Sequence, residues 1–292
     1  MQVRGERISQ DAPAASTADD AELVARAQGG DRIALETLLE RYQPHLMRFG
    51  LRMCGNRQDA EDVVQESMMA AVRTLSGFRS DASLSTWLYT IARSFCIKQR
   101  RRSKFAPKHE LSFDDPDQGQ SLDAELDGSA TPEERASEHE LDRAVQVAIL
   151  GLDEGQREVL VLRDVEGLSA PEVAEVTGLA VGAVKSKLHR ARASLRRALE
   201  PILGELDSTP PPTTDCPDME LLFSRSLEGE VDTQLCQKMQ EHVDDCDRCK
   251  RACKTLSSVL STCQATPFPE VPPSVQASVR RAARQLSLGP AK

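Results

Sequence analysis

The chain has 292 residues, with 37 Lys and Arg against 46 Asp and Glu for a formal net charge of -9, and only 3% aromatic residues. It contains no apolar run of about 18 residues and no charged-then-apolar amino-terminal segment, so neither a membrane span nor a secretory signal is visible and the cytoplasm is the expected compartment. Ala, Leu, Val, Glu and Arg dominate without sustained period-two alternation, which predicts an all-α protein whose breaks mark three small helical domains.

In chain order, residues 1–19 are polar and alanine-rich and read as a mobile tail. A helical unit is expected over 20–104. Its most regular piece is "GNRQDAEDVVQESMMAAVRTL", where Asn56 can cap and Asp59 and Glu61 sit in the first turn. Ala60, Val63, Val64, Met68, Ala71, Val72 and Leu75 form its buried stripe. The opposite face, Asp62, Gln65, Glu66, Met69 and Arg73, is acidic and partly apolar, and suits either a basic protein partner or water. The unit ends in "FRSDASLSTWLYTIARSFCIKQRRR", a polar loop at 79–83 leading into a helix whose end, residues 98–104, carries five positive charges and no negative one. Such a loop and basic helix can hold a single nucleic-acid strand. Trp87 there either packs in the core or stacks on a base.

Residues 105–137 form an acidic linker; the stretch 109–140 holds eleven acidic residues against one arginine. Helical patterning returns over 138–200. Ser169 and Glu172 fit a capping box, Gly178 stops that helix, and a basic helix follows in which residues 185–197 carry six positive charges and none negative. Helix, glycine turn and basic helix is the helix-turn-helix pattern. Val173, Ala174, Leu179, Val184 and Leu188 are expected to join the two helices. Lys185, Ser186, His189 and Arg190 then face outward, where they can meet phosphates or base edges.

A proline-rich joint, 201–213, precedes a cysteine-rich domain at 214–265 and a tail at 266–292 with a short basic helical pattern. Cys216, His242, Cys246 and Cys249 are soft donors suited to zinc, cadmium or copper. On a straight helix His242, Cys246, Cys249 and Cys253 would spread over roughly 16 Å, too far for one ion, so a break is expected at "DDCD". Cys216 then closes the site. Cys236, Cys253 and Cys263 exceed a four-ligand site and are candidates either for alternative ligation or for buried apolar filling; Cys54 and Cys96 read as the latter.

Three stretches, "DAEDVVQE" (59–66), "FRSDASLSTWLYTIARSFCIKQRRR" (78–102) and "LDEGQREVLVLRDVEGLSAPEVAEVTGLAVGAVKSKLHRARASLRRAL" (152–199), resemble the extracytoplasmic-function (ECF) sigma factors of the sigma-70 family. The resemblance implies sigma region 2 at 20–104 and region 4 at 138–200. It places Asp62, Gln65 and Glu66 on the clamp of core RNA polymerase. It gives Arg79, Ser80, Ser83, Trp87, Arg93, Lys98, Arg100 and Arg101 to the -10 element and Lys185, Ser186, His189 and Arg190 to the -35 element of promoter DNA. The sequence departs from the family's usual residues at Ser94, where asparagine is common, and at Ala183, where threonine is usual.

Residues 214–256, with the "LEGEVD" turn, resemble the zinc-finger-like domain of zinc-binding anti-sigma factors. The fusion is similar to the metal-responsive CorE-like ECF group. It implies promoter-specific initiation controlled by metal in a stress or homeostasis response, with no separate anti-sigma factor and no membrane partner. The alternatives are a thiol-redox-controlled sigma factor and a DNA-binding regulator with a structural zinc. No Ser/His/Asp array, P-loop or paired catalytic carboxylate stands out, so no enzymatic activity is expected; a metal-dependent hydrolase ranks far behind.

Overall fold

The computed structural model describes residues 17–105, 132–202, 216–265 and 268–285, and among them every regular element is helical. Residues 1–16 of the expected amino-terminal tail, most of the acidic linker and nearly all of the proline-rich joint lie outside the described residues; residues 17–19, expected in the tail, instead begin the first helix. By contacts the chain forms two units. One contains 13–130 and 267–292 together with 175–178, and the other 131–174 and 179–266.

The first unit comprises α1 (Thr17–Gln28), α2 (Arg32–Cys54), α3 (Arg57–Thr74), α4 (Leu84–Phe105) and α12 (Pro273–Gln285). Local chemistry sets its helix ends. Asp31 accepts from the backbone N–H groups of Ile33 and Ala34 to start α2, and Gly55, at φ 82°, closes it. Asn56 caps α3 by accepting from Asp59 N. Leu46, Met47, Phe49 and Met53 of α2 meet Val63, Val64 and Met68 of α3 and Leu88 and Ala92 of α4 in a closed apolar core. Gly50 permits the close crossing of α2 and α3, since a Cβ there would lie 3.1 Å from Ala60 Cα.

The helix α12 belongs to this packing, lying on α2 and α3. Val271 leads into it, and Val275, Val279 and Ala283 follow at four-residue steps; all four are buried. Arg280 reaches Glu40 at 3.1 Å, and Phe268 rests 4.3 Å from the His45 ring and 4.2 Å from the Arg48 guanidinium. The described part of the carboxy-terminal segment, residues 268–285, is therefore packed in the unit. Each buried valine contributes about 1.5–3 kcal/mol of hydrophobic stabilisation.

The second unit comprises α5 (Pro132–Leu150), α6 (Glu154–Leu160) running into a one-turn π segment (Val161–Val165), α7 (Ala170–Thr177), α8 (Val181–Leu199), α9 (Met219–Leu227), α10 (Thr233–Asp245) and α11 (Asp247–Ala265). The helix α5 begins at Pro132, ahead of the expected 138. Proline is at home in a first helical position.

The capping box at α7 is present: Ser169 N and Oγ both donate to Glu172 Oε2, at 2.8 and 2.7 Å. Gly178 then takes φ 73°. Val184, Leu188, Ala191, Leu195 and Leu199 line the buried side of α8, which packs on α5, α6, α9 and α11. Met219, Phe223, Met239, Val243, Leu256 and Leu260 form the core of the small module made by α9, α10 and α11.

Candidate functional site

On the first unit, Asp62 and Glu66 are exposed on α3 and Gln65 is half-buried. The loop before α4 leaves Arg79 and Ser80 exposed, and Ser80 adopts a left-handed backbone at φ 58°, uncommon outside glycine. Ser83 has a structural task there. Its Oγ accepts from Thr86 N at 3.1 Å at the start of α4. Trp87 is half-buried with its ring 5.0 Å from that of Phe78, the packing alternative at this position. Arg93 and Arg100 are half-buried, whereas Lys98 and Arg101 are exposed. Cys96 is buried and its Sγ lies 3.9 Å from that of half-buried Cys54.

On α8 the outward face expected for Lys185, Ser186, His189 and Arg190 divides. Ser186 and Arg190 are exposed, and both bond within the helix: Ser186 Oγ donates to Gly182 O at 2.9 Å, and Arg190 Nε to Ser186 O at 3.2 Å. Lys185 and His189 are covered instead. The turn after α9 lies on them because it carries carboxylates complementary to the helix's cations. Lys185 Nζ is 3.1 Å from Glu230 Oε1, and His189 Nε2 is 3.2 Å from Glu230 Oε2 while its Nδ1 meets Ser224 Oγ at 2.8 Å.

Below them sits a buried charge network. Arg192 grips Asp164 at 2.6 and 2.9 Å and also Glu228 at 2.8 Å. Arg163 Nε meets the second Glu228 oxygen at 3.3 Å. Burial opposes the Arg192 charge, but Asp164 and then Glu228 more than compensate and raise its pKa. Burial is the largest influence on His189 and lowers its pKa, against the pull of Glu230. For Glu230 burial acts upward, yet Lys185 and His189 together bring it below the usual carboxylate range. Sequence reasoning missed Glu228, Glu230, Ser224, Asp164, Arg163 and Arg192; the available signal was the acidic "LEGE" turn opposite a basic helix.

At the other end of the module the expected break exists. The helix α10 ends at Asp245, Cys246 stands at its C-cap with φ -115° and ψ 101°, and α11 starts at Asp247. His242 at the end of one helix therefore faces Cys249 in the first turn of the next, with Nε2 to Sγ at 3.3 Å. Cys216, just before α9, closes the group at 3.4 Å from His242 Nε2 and 3.0 Å from Cys249 Sγ. With Cys246, all four ligand atoms lie within 4.8 Å of one another. A tetrahedral ion with bonds of 2.0–2.3 Å has edges of about 3.3–3.8 Å, so three sulfurs and one imidazole nitrogen fit a soft or borderline cation such as zinc, cadmium or copper.

The thiols are not equivalent. The Cys249 backbone N–H, helped by the Cys249 and Cys216 thiols, draws Cys246 below its usual range. Burial and the neighbouring thiols push Cys249 up. The three surplus cysteines do not join the cluster. Cys253 packs among Met219, Phe223 and Leu256, where burial pushes its thiol up to about 11, Cys263 is buried on α11, and Cys236 is half-buried on α10. For Cys253 the separation is axial: it lies one turn, about 6 Å, past Cys249 on the same buried face of α11, in the module's core.

Comparison with known proteins covers the two helical regions that precede the cysteine-rich module. Sigma-70 region 2 matches residues 38–105, and sigma-70 region 4 matches 142–195. The RNA polymerase sigma-H factor of Pseudomonas aeruginosa is 34% identical over 190 residues, covering 64% of this chain and 96% of that protein. The ECF RNA polymerase sigma factor SigW of Bacillus subtilis is 31% identical, over 60% of this chain and 94% of its own.

Among solved structures, CnrH in complex with the cytosolic domain of CnrY is 30% identical, with a TM-score of 0.47, covering 63% of this chain and 98% of that chain. The sigma factor RpoE in complex with the anti-sigma factor NepR from Bartonella quintana is 25% identical, with a TM-score of 0.42, covering 56% and 95%. Each of these two structures is a complex with a second protein, the cytosolic domain of CnrY and the anti-sigma factor NepR respectively. Nothing supports the expectation that no separate anti-sigma factor acts on this chain. Both family matches end before the cysteine-rich module.

Proposed function

The chain belongs to the ECF RNA polymerase sigma factors of the sigma-70 family, and from that premise we propose that its promoter use is governed by a metal ion held at Cys216, His242, Cys246 and Cys249. Sigma factors bind core RNA polymerase and promoter DNA to start transcription and are not themselves enzymes. Within that role, Asp62, Gln65 and Glu66 dock on the polymerase clamp. The loop from Arg79 to Ser83 and the α4 residues Trp87, Arg93, Lys98, Arg100 and Arg101 serve the -10 element, and the first turns of α8 serve the -35 element. The site of action is the cytoplasm, where the polymerase and its template are.

One observation carries the metal reading: the four-donor cluster lies in a module that packs directly on α8. A bound ion would supply a four-point crosslink joining the chain before α9 to the junction of α10 and α11. The protein's own groups do the rest. Buried Cys249 and half-buried Cys216, Cys246 and His242 set the donor geometry, and the apolar core around Phe223 and Leu256 transmits its alignment to the turn at Glu228.

The test is in vitro transcription with core polymerase and a promoter template, titrated with zinc, cadmium and copper in both oxidation states. Initiation should require the protein, and one of the metals should change it. Replacing Cys246 and Cys249 by alanine should remove the change but leave initiation. Absence of initiation with core polymerase, or an unchanged metal response in the variant, overturns the reading. The 3.0 Å contact of Cys216 and Cys249 thiols also favours a second reading, in which peroxide oxidises the pair to a disulfide with release of water. A metal-free protein whose initiation follows that disulfide would establish it.

A further inference from the structure

We propose that the acidic turn Glu228 to Glu230 is a built-in substitute for DNA phosphate, so that α8 holds either this turn or duplex DNA at Lys185 and His189. The inference rests on α8 being the helix that reads the -35 element and adds the surface through which the module acts on it.

The contacts have the character of a DNA interface. A lysine and a histidine on the first turns of a recognition helix ordinarily meet phosphate oxygens or base edges. Here the same two side chains meet carboxylate oxygens at 3.1 and 3.2 Å, and Lys185 Nζ also donates to the Glu228 carbonyl at 3.4 Å. The acidic residues are presented by a formed turn. Gly229 takes φ 66°, and the N–H groups of Glu228, Gly229 and Glu230 return to the carbonyls of Arg225 and Ser226 at 3.0–3.1 Å.

The interface is also arranged to separate. Lys185 and Glu230 side chains are 24% and 27% exposed, and exposed or partly exposed pairs are typically worth about 0.2–1 kcal/mol. Glu228 is buried against Arg192, yet Arg192 has two further bonds to Asp164 of its own half at 2.6 and 2.9 Å. When the module leaves, Arg192 keeps a carboxylate partner and Glu228 passes to water. Arg192 also gives up its bonds to Ser224 O and Oγ at 3.2 and 3.1 Å, and Arg163 its 3.3 Å contact with Glu228, but the Asp164 pair stays and limits the usual large cost of breaking such a network.

The test uses the full chain and a fluorescent 30-base-pair duplex of mixed sequence, at low salt, with and without chelator. Glu230→Gln is the lead variant because its side chain is partly exposed; Glu228→Gln is the second, with its fold checked by circular dichroism. Glu241→Gln, an exposed carboxylate of the same module, is the charge-matched control. Glu230→Gln should bind the duplex about threefold to tenfold tighter than the control. In the wild type, saturating duplex should speed hydrogen exchange of the amides at 224–232.

Equal affinity of Glu230→Gln and Glu241→Gln, or unchanged exchange at 224–232 with duplex bound, overturns the inference. If those two results hold but zinc, cadmium and copper leave them unaltered, the competition stands and the metal-control reading fails. If α8 amides gain no protection from the duplex in either variant, the assignment of α8 to DNA is what fails, and the competition falls with it.

Discussion

Arg192 and Glu228 meet at 2.8 Å, across 36 residues of sequence, with both side chains only 2% exposed. One belongs to the helix-turn-helix and the other to the cysteine-rich module, so this pair ties the two parts of the unit together. Its asymmetry gives a ranked prediction. Asp164→Ala removes the bidentate partner of a buried arginine and should cost about 3–5 kcal/mol of folding stability. Glu228→Ala leaves that partner in place and should cost about 1–3 kcal/mol. Urea unfolding followed by circular dichroism measures both, and a larger loss for Glu228→Ala would show that Asp164 is not the main support of Arg192.

Acid should loosen the module from α8. His189 has a pKa below its ordinary value of 6.5, chiefly through burial, so the docked state binds its proton less readily than the released state. The stabilisation from this group is present above the ordinary value and is lost as pH falls through it. Glu230, lowered by Lys185 and His189, acts in the same direction at lower pH, below the usual carboxylate range. The protection of amides 224–230, taken against the intrinsic exchange rate at each pH, should therefore fall as pH drops below about 6.5. His189→Gln should flatten the upper part of that profile; an unchanged profile would place the pH response elsewhere.

Cys249 and Cys253 lie one helical turn apart and should behave differently. Cys249→Ser should abolish tight binding of zinc or cadmium, measured by competition with a chromophoric chelator, because it removes one of four donors. Cys253→Ser should keep the same stoichiometry and affinity but lose about 1–3 kcal/mol of stability, since a hydroxyl replaces a thiol that is 1% exposed in an apolar core. Loss of metal affinity in Cys253→Ser would make it a ligand after all.

The helix α12 should matter to the first unit's stability. Val279 is fully buried on α2 and α3, so Val279→Ala should cost about 2–3 kcal/mol and Val279→Asp more. A chain ending after Ala265 should bind a hydrophobic dye that the full chain does not, by exposing the surface that Val271, Val275, Val279 and Ala283 cover. Equal melting and equal dye binding would show that the contact contributes nothing.

Much of this could be seen in local pattern, because local chemistry creates it. The capping box at Ser169 and Glu172, the cap at Asn56 and the break at Cys246 each depend on residues within a few positions of one another. The covering of Lys185 and His189 depends on Glu230, more than 40 residues away, and no periodicity links them. The stripe of Val275, Val279 and Ala283 announces an apolar face without naming what it covers. Pro132 was legible as a helix start but was obscured by the acidic composition around it. Counting thiols could not choose between ligation and apolar filling for Cys236, Cys253 and Cys263, because composition does not say how far from the cluster a cysteine lies along its helix.

The helices α9 and α10 form a hairpin with Cys216 and His242 toward its open end and Glu228 to Glu230 at its closed end, separated by α9's nine residues, about 14 Å. If the proposed metal control and DNA competition hold, different residues would decide which ion is recognised and how firmly α8 is held. Substitutions among the donors would then change the stimulus without altering the response, and substitutions in the turn would change the strength of the response without altering the stimulus. Under that proposal the two properties could drift, or be engineered, independently.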